Sequence, residues 1–454
     1  MSARQPLHPS PGAALDASLP ERIGKYPVLM RLGEGATSEV FLAHDEFHNR
    51  QVAIKRVRPT MLGGGYEDRY RAHYFASEAA LAGKLQHPNV AQIHDAVDDG
   101  TAPFLVMEYV PGGTLRRYCR ADSLLSLSQI VEIGFKCAMA LDYVYRRGLI
   151  HRDVKPANIL ALIERDTLVD VKISDFGSAL DTLSDRTQVY RVGSLAYMSP
   201  EQLDGSALDA RADMFSLAAV LYHLVAGRPP FDAQQQPALM HQICNLNPPP
   251  LMPLREGVHE HMNAILQRAM AKAVDARFAS WDEFAREWSS LVANDEVPRG
   301  PLQEVLDSER FNLLRSLEFF TGFGDVELWE VVHRAAWQRH GFGAALYRKG
   351  ESGNSFHIIA QGQVEVYRDG QRVAQLGTGT SVGEMAYLAP SEALRIHAAD
   401  VIVSAPTTTI TFTPRTLDGL GPGTRHLFDA AFIKVLVRRL HAAHESLAHP
   451  RRIL

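Results

Sequence analysis

Cysteine is scarce in this chain, with three in 454 residues. Cys119, Cys137 and Cys244 stand far apart and form no CxxC pair, which argues against a disulfide framework and a structural zinc site. A reducing, cytoplasmic setting is therefore expected. Basic excess is missing too: 47 lysines and arginines face 52 aspartates and glutamates, a net charge of −5. Wrapping a phosphate backbone needs the opposite sign, so no nucleic-acid partner is expected. Long apolar runs are lacking. The longest, Met214 to Gly227, carries His223 and falls short of the roughly 20 residues that span a bilayer, so it reads as a buried helix and no membrane anchor is expected. Residues 1–25 lack the apolar core of a signal peptide and read as a disordered leader rich in proline, serine and alanine.

What is present is globular: 46% hydrophobic and 22% charged residues, in a chain longer than one core usually supports. From Tyr26 to about Ile93 the pattern is strands around a glycine turn, then a helix expected over Tyr66 to Leu85. Helical periodicity dominates from Thr114 to about Val292. Residues 293–305, with charge, prolines and glycine, have a linker's composition. From Ala345 to Thr413 short alternating strands separated by glycines predict a small antiparallel barrel or roll, closed by a helix over His426 to Ala448.

Several short motifs carry chemistry. "LGEGATSEVF" places Gly33 and Gly35 between two strands, where a backbone without Cβ can approach phosphates. "VAIK" ends a strand on Lys55, an ammonium within reach of phosphate oxygens. Glu78, on the next helix at 78 − 55 = 23 residues further, is the anion available to aim it. "HRDVKPANIL" (His151 to Leu160), "DFG" (Asp175 to Gly177) and "SPE" (Ser199 to Glu201) follow in order.

Together these motifs resemble the eukaryotic-like serine/threonine protein kinases of bacterial type, over residues 26–292. The resemblance implies that Asp153 orients the attacking hydroxyl, Lys155 offsets charge on the transferred group, and Lys55, aimed by Glu78, holds the phosphates of ATP. Asn158 and Asp175 are implied as Mg²⁺ ligands. Leu32, Gly33, Gly35, Ser38, Val40 and Ala53 are implied over the nucleotide, with Leu160 beneath it. The hinge from Met107 through Glu108 to Val110 is implied along the adenine edge, with Met107 gating the pocket behind. With Lys155 in "RDVKPAN" the chain resembles the serine/threonine class rather than the tyrosine class, so protein substrates with alkyl hydroxyls are expected. Ser38 stands where a third glycine is usual, and Ser194 where threonine is usual.

Control by phosphorylation is also implied. Arg152 beside the catalytic aspartate is suited to grip a phosphate on the activation segment, which offers Thr182, Ser184 and, foremost, Thr187. Glu201 with Arg277 would pin the substrate loop, and Asp213 would accept backbone N–H groups of the HRD loop. The competing class is a pseudokinase scaffold. Such proteins usually lack one of the lysine, HRD aspartate or DFG aspartate, and Lys55, Asp153 and Asp175 are all here.

"LYRKGESGNSFHIIAQGQVEVY" and "VGEMAYL" resemble a cyclic-nucleotide-binding domain over residues 306–448. The resemblance implies a β-roll in which Gly383, Glu384, Met385 and Ala386 form the turn that meets a cyclic phosphate, with Glu384 on the ribose. It implies cyclic AMP or cyclic GMP as effector. An arginine should neutralise the phosphate about nine residues after Glu384, but Arg395 lies 395 − 384 = 11 positions on, past Glu392. Counting back from the strand at Ala399 puts His397 there instead. Both placements stay open, and a β-roll used for contacts and homodimerisation is the alternative. A transcription regulator would need a helix-turn-helix beyond the long helix, where only Pro450 to Leu454 remain. The expected fold class is α+β, a bilobal kinase fold followed by a β-roll domain with flanking helices.

Overall fold

The computed structural model describes residues 19–34, 38–57, 75–98, 102–164, 167–181, 195–298, 305–391 and 394–448. They divide into two compact units, one reaching Leu291 and taking in Glu296–Pro298, the other comprising Val292–Asp295 and the chain from Arg299.

The first unit begins with β1 (Arg22–Ile23), β2 (Tyr26–Glu34), β3 (Ser38–Asp45), β4 (Arg50–Val57), β5 (Ile93–Val97) and β6 (Phe104–Glu108). They form one antiparallel sheet in the order β1-β2-β3-β4-β6-β5. Phe41, Ala43, Val52, Ile54, Phe104 and Val106 alternate onto one face and bury it with Ile23 and Tyr26, the period-two pattern of a half-covered sheet. Of the helix expected over Tyr66 to Leu85, the part before residue 75 lies outside the described residues; 75–79 are helical and 80–84 form turns.

The rest of this unit is mainly helical. The helix Leu127–Tyr145 starts in a capping box made by Ser126 and Gln129 and is buried along most of its length. Gly134 is needed there, because a Cβ would come 2.2 Å from the Trp288 indole nitrogen. That nitrogen donates to the Val131 carbonyl at 3.0 Å. The apolar run read as a buried helix is the helix Ala210–Ala226, capped by the Asp209 side chain and ended by Gly227 at φ 69°. Between these helices, β7 (Leu149–Ile150) pairs with β10 (Leu180–Asp181), and β8 (Ile159–Glu164) with β9 (Thr167–Ile173). The two pairs hold the segments bearing "HRD" and "DFG" side by side.

The second unit is an antiparallel roll: β11 (Ala336–His340), β12 (Ala345–Tyr347), β13 (Phe356–Arg368), β14 (Gln371–Gly377), β15 (Ser381–Val382) and β16 (Asp400–Phe412). The main order is β11-β16-β13-β14, with β12 on β16 and β15 on β13. Sequence alternation placed the first strand at Ala345. The earlier β11, "AWQRH", carries too few apolar residues to signal a strand, and its pairing with Thr407 to Thr411 makes it one. Gly362 marks a bulge between β13 and β16, where a Cβ would stand 2.4 Å from the Pro406 carbonyl. The long helix Pro422–Ala448 packs Phe428 and Phe432 among Phe319, Phe320, Phe356 and Phe412. Full burial of such a side chain contributes about 1.5–3 kcal/mol, so this aromatic set fixes the helix on the roll. Among the described residues no helix is long and apolar enough to cross a membrane.

Candidate active site

Lys55 sits on β4 with its neighbours Ala53 and Ile54 buried, and the strand aims its side chain at the cleft. Its ammonium is 2.8 Å from a carboxylate oxygen of Glu78 and 2.8 Å from one of Asp175. Burial works against this charge, but the carboxylates of Asp175 and Glu78 more than offset it and hold the lysine well above its ordinary value. Glu78 is itself pushed up, chiefly by burial, while burial of Asp175 is outweighed by Lys55, which keeps that carboxyl low. One lysine thus ties the helical residue 78 to the "DFG" aspartate, which stands 120 positions from Lys55 in sequence.

The "HRD" segment is fixed from beneath. Buried Asp213 accepts the amide hydrogens of His151 and Arg152 at 2.7 and 2.8 Å. The His151 ring donates Nε2–H to the Ser174 carbonyl at 3.0 Å, so its Nδ1 accepts from the Asp153 amide at 3.3 Å, and the ring packs on Phe176. Arg152 takes φ 64° and Asp175 φ 68°, left-handed conformations that cost about 1–2 kcal/mol each and that this hydrogen bonding sustains. The Arg152 Nε–H donates to the Ser178 carbonyl at 2.5 Å.

Asp153 is the meeting point. Its Oδ2 accepts from Lys155 at 2.6 Å and from the Asn158 amide nitrogen at 3.0 Å. Asn158 also donates to the Asp153 carbonyl, which turns its own amide oxygen outward from the pair. That oxygen and the Asp175 carboxylate are hard donors of the kind magnesium takes. Below, Arg277 grips Glu201 through two parallel bonds of 2.6 and 2.8 Å, with its side chain fully buried.

The roof comes from β2, β3 and β4. Gly33 pairs with Val40, which pairs with Lys55, and Ala53 pairs with Met107. Leu32 and Gly33 are exposed, Ser38 is half-buried, and Gly35 lies outside the described residues. Met107 and Val110 are buried. Glu108 donates its amide hydrogen to the Gln92 carbonyl, and its carboxylate pairs with the Lys172 ammonium, 3.1 Å away. Half-buried Leu160 is the second residue of β8, which Ile159 begins directly after Asn158. Thr182, Ser184, Thr187 and Ser194 lie outside the described residues.

In the roll, Gly383 has φ 83° and opens a helix of only four residues, Glu384–Tyr387. The Tyr347 ring lies so close over it that a Cβ would come within 2.6 Å. His397 is buried and stacks on that phenol ring, ring centres 3.8 Å apart. Its amide donates to the Glu351 carbonyl, and its carbonyl accepts from Gly350. Arg395 is exposed, and among the described residues its side chain reaches only the Ala389 carbonyl, at 3.4 Å. Of the two residues that sequence left open, His397 faces inward and Arg395 outward. Glu392 lies outside the described residues. Glu384 is buried and bonded to Arg439 of the long helix, which also donates to the Ser381 carbonyl at 2.7 Å. Burial keeps the Glu384 carboxyl above its ordinary value even with Arg439 against it. Met385 is exposed and Ala386 buried, the latter against Gly353. Sequence reading missed Arg439, which stands 55 residues from its partner with no pattern linking them.

Comparison with known proteins agrees with this geometry. The family described as "Protein kinase domain" matches residues 26–289, more than half of the chain, and "Cyclic nucleotide-binding domain" matches residues 340–420. Serine/threonine-protein kinase PknB of Mycobacterium leprae is 33% identical over 307 residues, covering 65% of this chain and 47% of the relative. The PknB of Mycobacterium tuberculosis (strain ATCC 25618 / H37Rv) is 34% identical over 302 residues, covering 64% and 46%. The probable serine/threonine-protein kinase SCO3848 of Streptomyces coelicolor is 35% identical over 273 residues, covering 58% and 39%. The chain thus spans less than half the length of these relatives. The lysine shared between Glu78 and Asp175, the Asp153 cluster and the family match lead to one statement: this chain belongs to the protein kinase family.

Proposed function

We propose that the protein is a serine/threonine protein kinase that moves the γ-phosphoryl group of ATP to protein hydroxyls. In this reading residues 26–292 are the kinase domain, 293–305 a linker and 306–448 a regulatory domain. The observation that carries it is the convergence of Lys55, Glu78 and Asp175 beside Asp153, Lys155 and Asn158. Lys55 holds phosphate oxygens, and Glu78 fixes its aim. Asp153 orients the acceptor hydroxyl and takes its proton, while Lys155 offsets charge on the group in transfer. Asn158 and Asp175 would hold Mg²⁺, which supplies charge neutralisation at the phosphates. Leu32, Gly33, Gly35, Ser38, Val40, Ala53, Met107, Glu108, Val110 and Leu160 enclose the nucleotide. The setting is the cytosol, a reading supported by three free thiols, of which Cys119 is pushed by burial up to about 12.

Transfer of labelled phosphate from ATP to a pool of serine and threonine peptides tests this. Lys55→Met should lower transfer by about 100-fold or more; equal labelling by both proteins would sink the enzyme reading in favour of a scaffold. Autophosphorylation on Thr182, Ser184 or Thr187 belongs to the same reading, and phosphopeptide mapping against Asp153→Asn checks it.

For the second unit a specific observation favours a contact-making regulatory domain over a tight receptor for cyclic AMP or cyclic GMP. The inward position holds His397, and burial lowers its pKa, which favours the uncharged ring, while Tyr347 covers Gly383. A cyclic phosphate gains most from a fixed guanidinium at that place. Thermal titration with each nucleotide should leave the roll's transition unmoved, whereas saturation at 100 times Kd would add about 2.7 kcal/mol. A clear rise restores the nucleotide effector.

A further inference from the structure

Arginines gather at one corner of the first unit that the transfer chemistry does not use. The turn Leu115–Tyr118 carries Arg116 and Arg117, and Arg120 follows; all three are exposed. Arg120 pairs with Asp122 at 2.9 Å, and Arg117 lies 5.3 Å from the Tyr118 ring. Among the described residues no ion pair engages Arg116. The Ser123 hydroxyl donates to the Arg117 carbonyl at 2.6 Å and fixes the turn.

Two contacts join this corner to its surroundings. The Cys119 carbonyl lies 3.1 Å from His223 Nε2, and His223 Nδ1 lies 2.9 Å from the Tyr197 hydroxyl. A carbonyl only accepts, so Nε2 carries the hydrogen, and on the neutral ring Nδ1 accepts from Tyr197. Burial lowers the His223 pKa and favours that neutral form. Second, Gly227 ends the helix Ala210–Ala226 directly against Ala121, whose nitrogen would be 3.1 Å from an added Cβ. Exposed Arg228 is the next residue. Tyr197 stands in the loop just before Ser199 to Glu201, so the arginine turn and the substrate loop are tied through one imidazole.

We propose that Arg116, Arg117 and Arg228, beside Tyr197, recognise an acidic segment of the acceptor protein, and that His223 is the positioning residue that holds the arginine turn to the substrate loop. This rests on the kinase reading and names its substrate class. Exposed guanidinium–carboxylate pairs contribute about 0.2–1 kcal/mol each, so the effect comes from several acting together. The acid within the turn, Asp122, is already held by Arg120, which leaves the corner positive for an incoming carboxylate.

The test uses the full chain with ATP and magnesium and two serine peptides that differ only in flanking glutamates or lysines. The acidic peptide should have about tenfold higher kcat/KM, carried by KM and shrinking as salt rises. Combined Arg116→Glu and Arg117→Glu should raise KM for the acidic peptide about tenfold and reverse the preference, with KM for ATP unchanged. His223→Phe should raise peptide KM without changing kcat, and His223→Gln, which can both donate and accept, should restore it. Preference for the basic peptide, or a KM indifferent to charge reversal, overturns the proposal while leaving the kinase reading in place. Failure to label either peptide, with no autophosphorylation, overturns both.

Discussion

In the first unit charge meets charge: in the cleft Lys55 lies between Glu78 and Asp175 and Lys155 on Asp153, and below it Arg277 on Glu201. In the roll, titratable rings meet hydroxyls and other rings. His357 Nδ1 is 2.8 Å from the Thr411 hydroxyl, His340 Nε2 is 2.9 Å from that of Thr409, and Tyr347 lies between His357 and His397. The difference follows from what each must hold. A cleft for a polyphosphate and a divalent ion needs fixed acids and bases, whose desolvation is offset by mutual pairing. A roll interior that stays neutral can be buried with hydroxyl partners alone. Among the described residues its one buried carboxylate, Glu384, is answered by Arg439 of the same unit.

Breaking a pair in the cleft unit should therefore have the largest effect. Arg277→Met leaves Glu201 buried without its two bonds and should destabilise that unit by about 3–5 kcal/mol. Hydrogen exchange on the full chain should register the loss in peptides around residues 195–228 and not in those of the roll. Combined Arg277→Met and Glu201→Leu should recover part of it, since removing both charges is cheaper than stranding one. Unchanged exchange in the single variant would mean that the pair carries no stability.

The same contrast governs what could be read from sequence. The cleft residues were legible because each sits in a short motif whose residue type dictates a role, as with Lys55 in "VAIK" and Asp153 in "HRD". What spacing did not reveal is that Lys55 bridges Glu78 and Asp175 at once, since that depends on how the strand and the turn after β9 approach. In the roll, motif and geometry part. Arg395 and His397 are two positions apart, and the backbone bonds of His397 to Glu351 and Gly350 decide which faces in. Such bonds depend on pairing register, which the inserted loop hides. Arg439, His223 and Tyr197 gave no signal because their partners lie 55 and 26 residues away and belong to no motif.

Acid sharpens the comparison. Burial drives His357 down to about 4, and the nearby His340 and His397 add to the effect. The unfolded chain, with its histidine near the ordinary 6.5, takes up the proton first. The roll should thus keep this stability above pH 6.5 and lose it as pH falls toward 4, by up to about 3 kcal/mol. His357→Gln should flatten the acid limb of the roll's exchange profile, and an unaltered limb would discount the histidine.

The smallest effect has the opposite sign and lies in the other unit. His261 donates toward Glu296 and Glu287, at 2.6 and 3.2 Å. Burial tends to lower its pKa, but the hydrogen bonds to Glu296 and Glu287 outweigh that and raise it above 6.5. The folded form now binds the proton more tightly, so the contribution is complete below 6.5 and is lost as pH rises through the folded value. The ring is partly exposed, which holds the effect to under about 1 kcal/mol. Peptides covering Glu260–Ala269 should exchange slightly faster on going from pH 6 to 8, after correction for intrinsic rate, and His261→Asn should abolish that slope. Parallel slopes for His261 and His357 would refute the idea that the fold stabilises the charged form of His261 and the neutral form of His357.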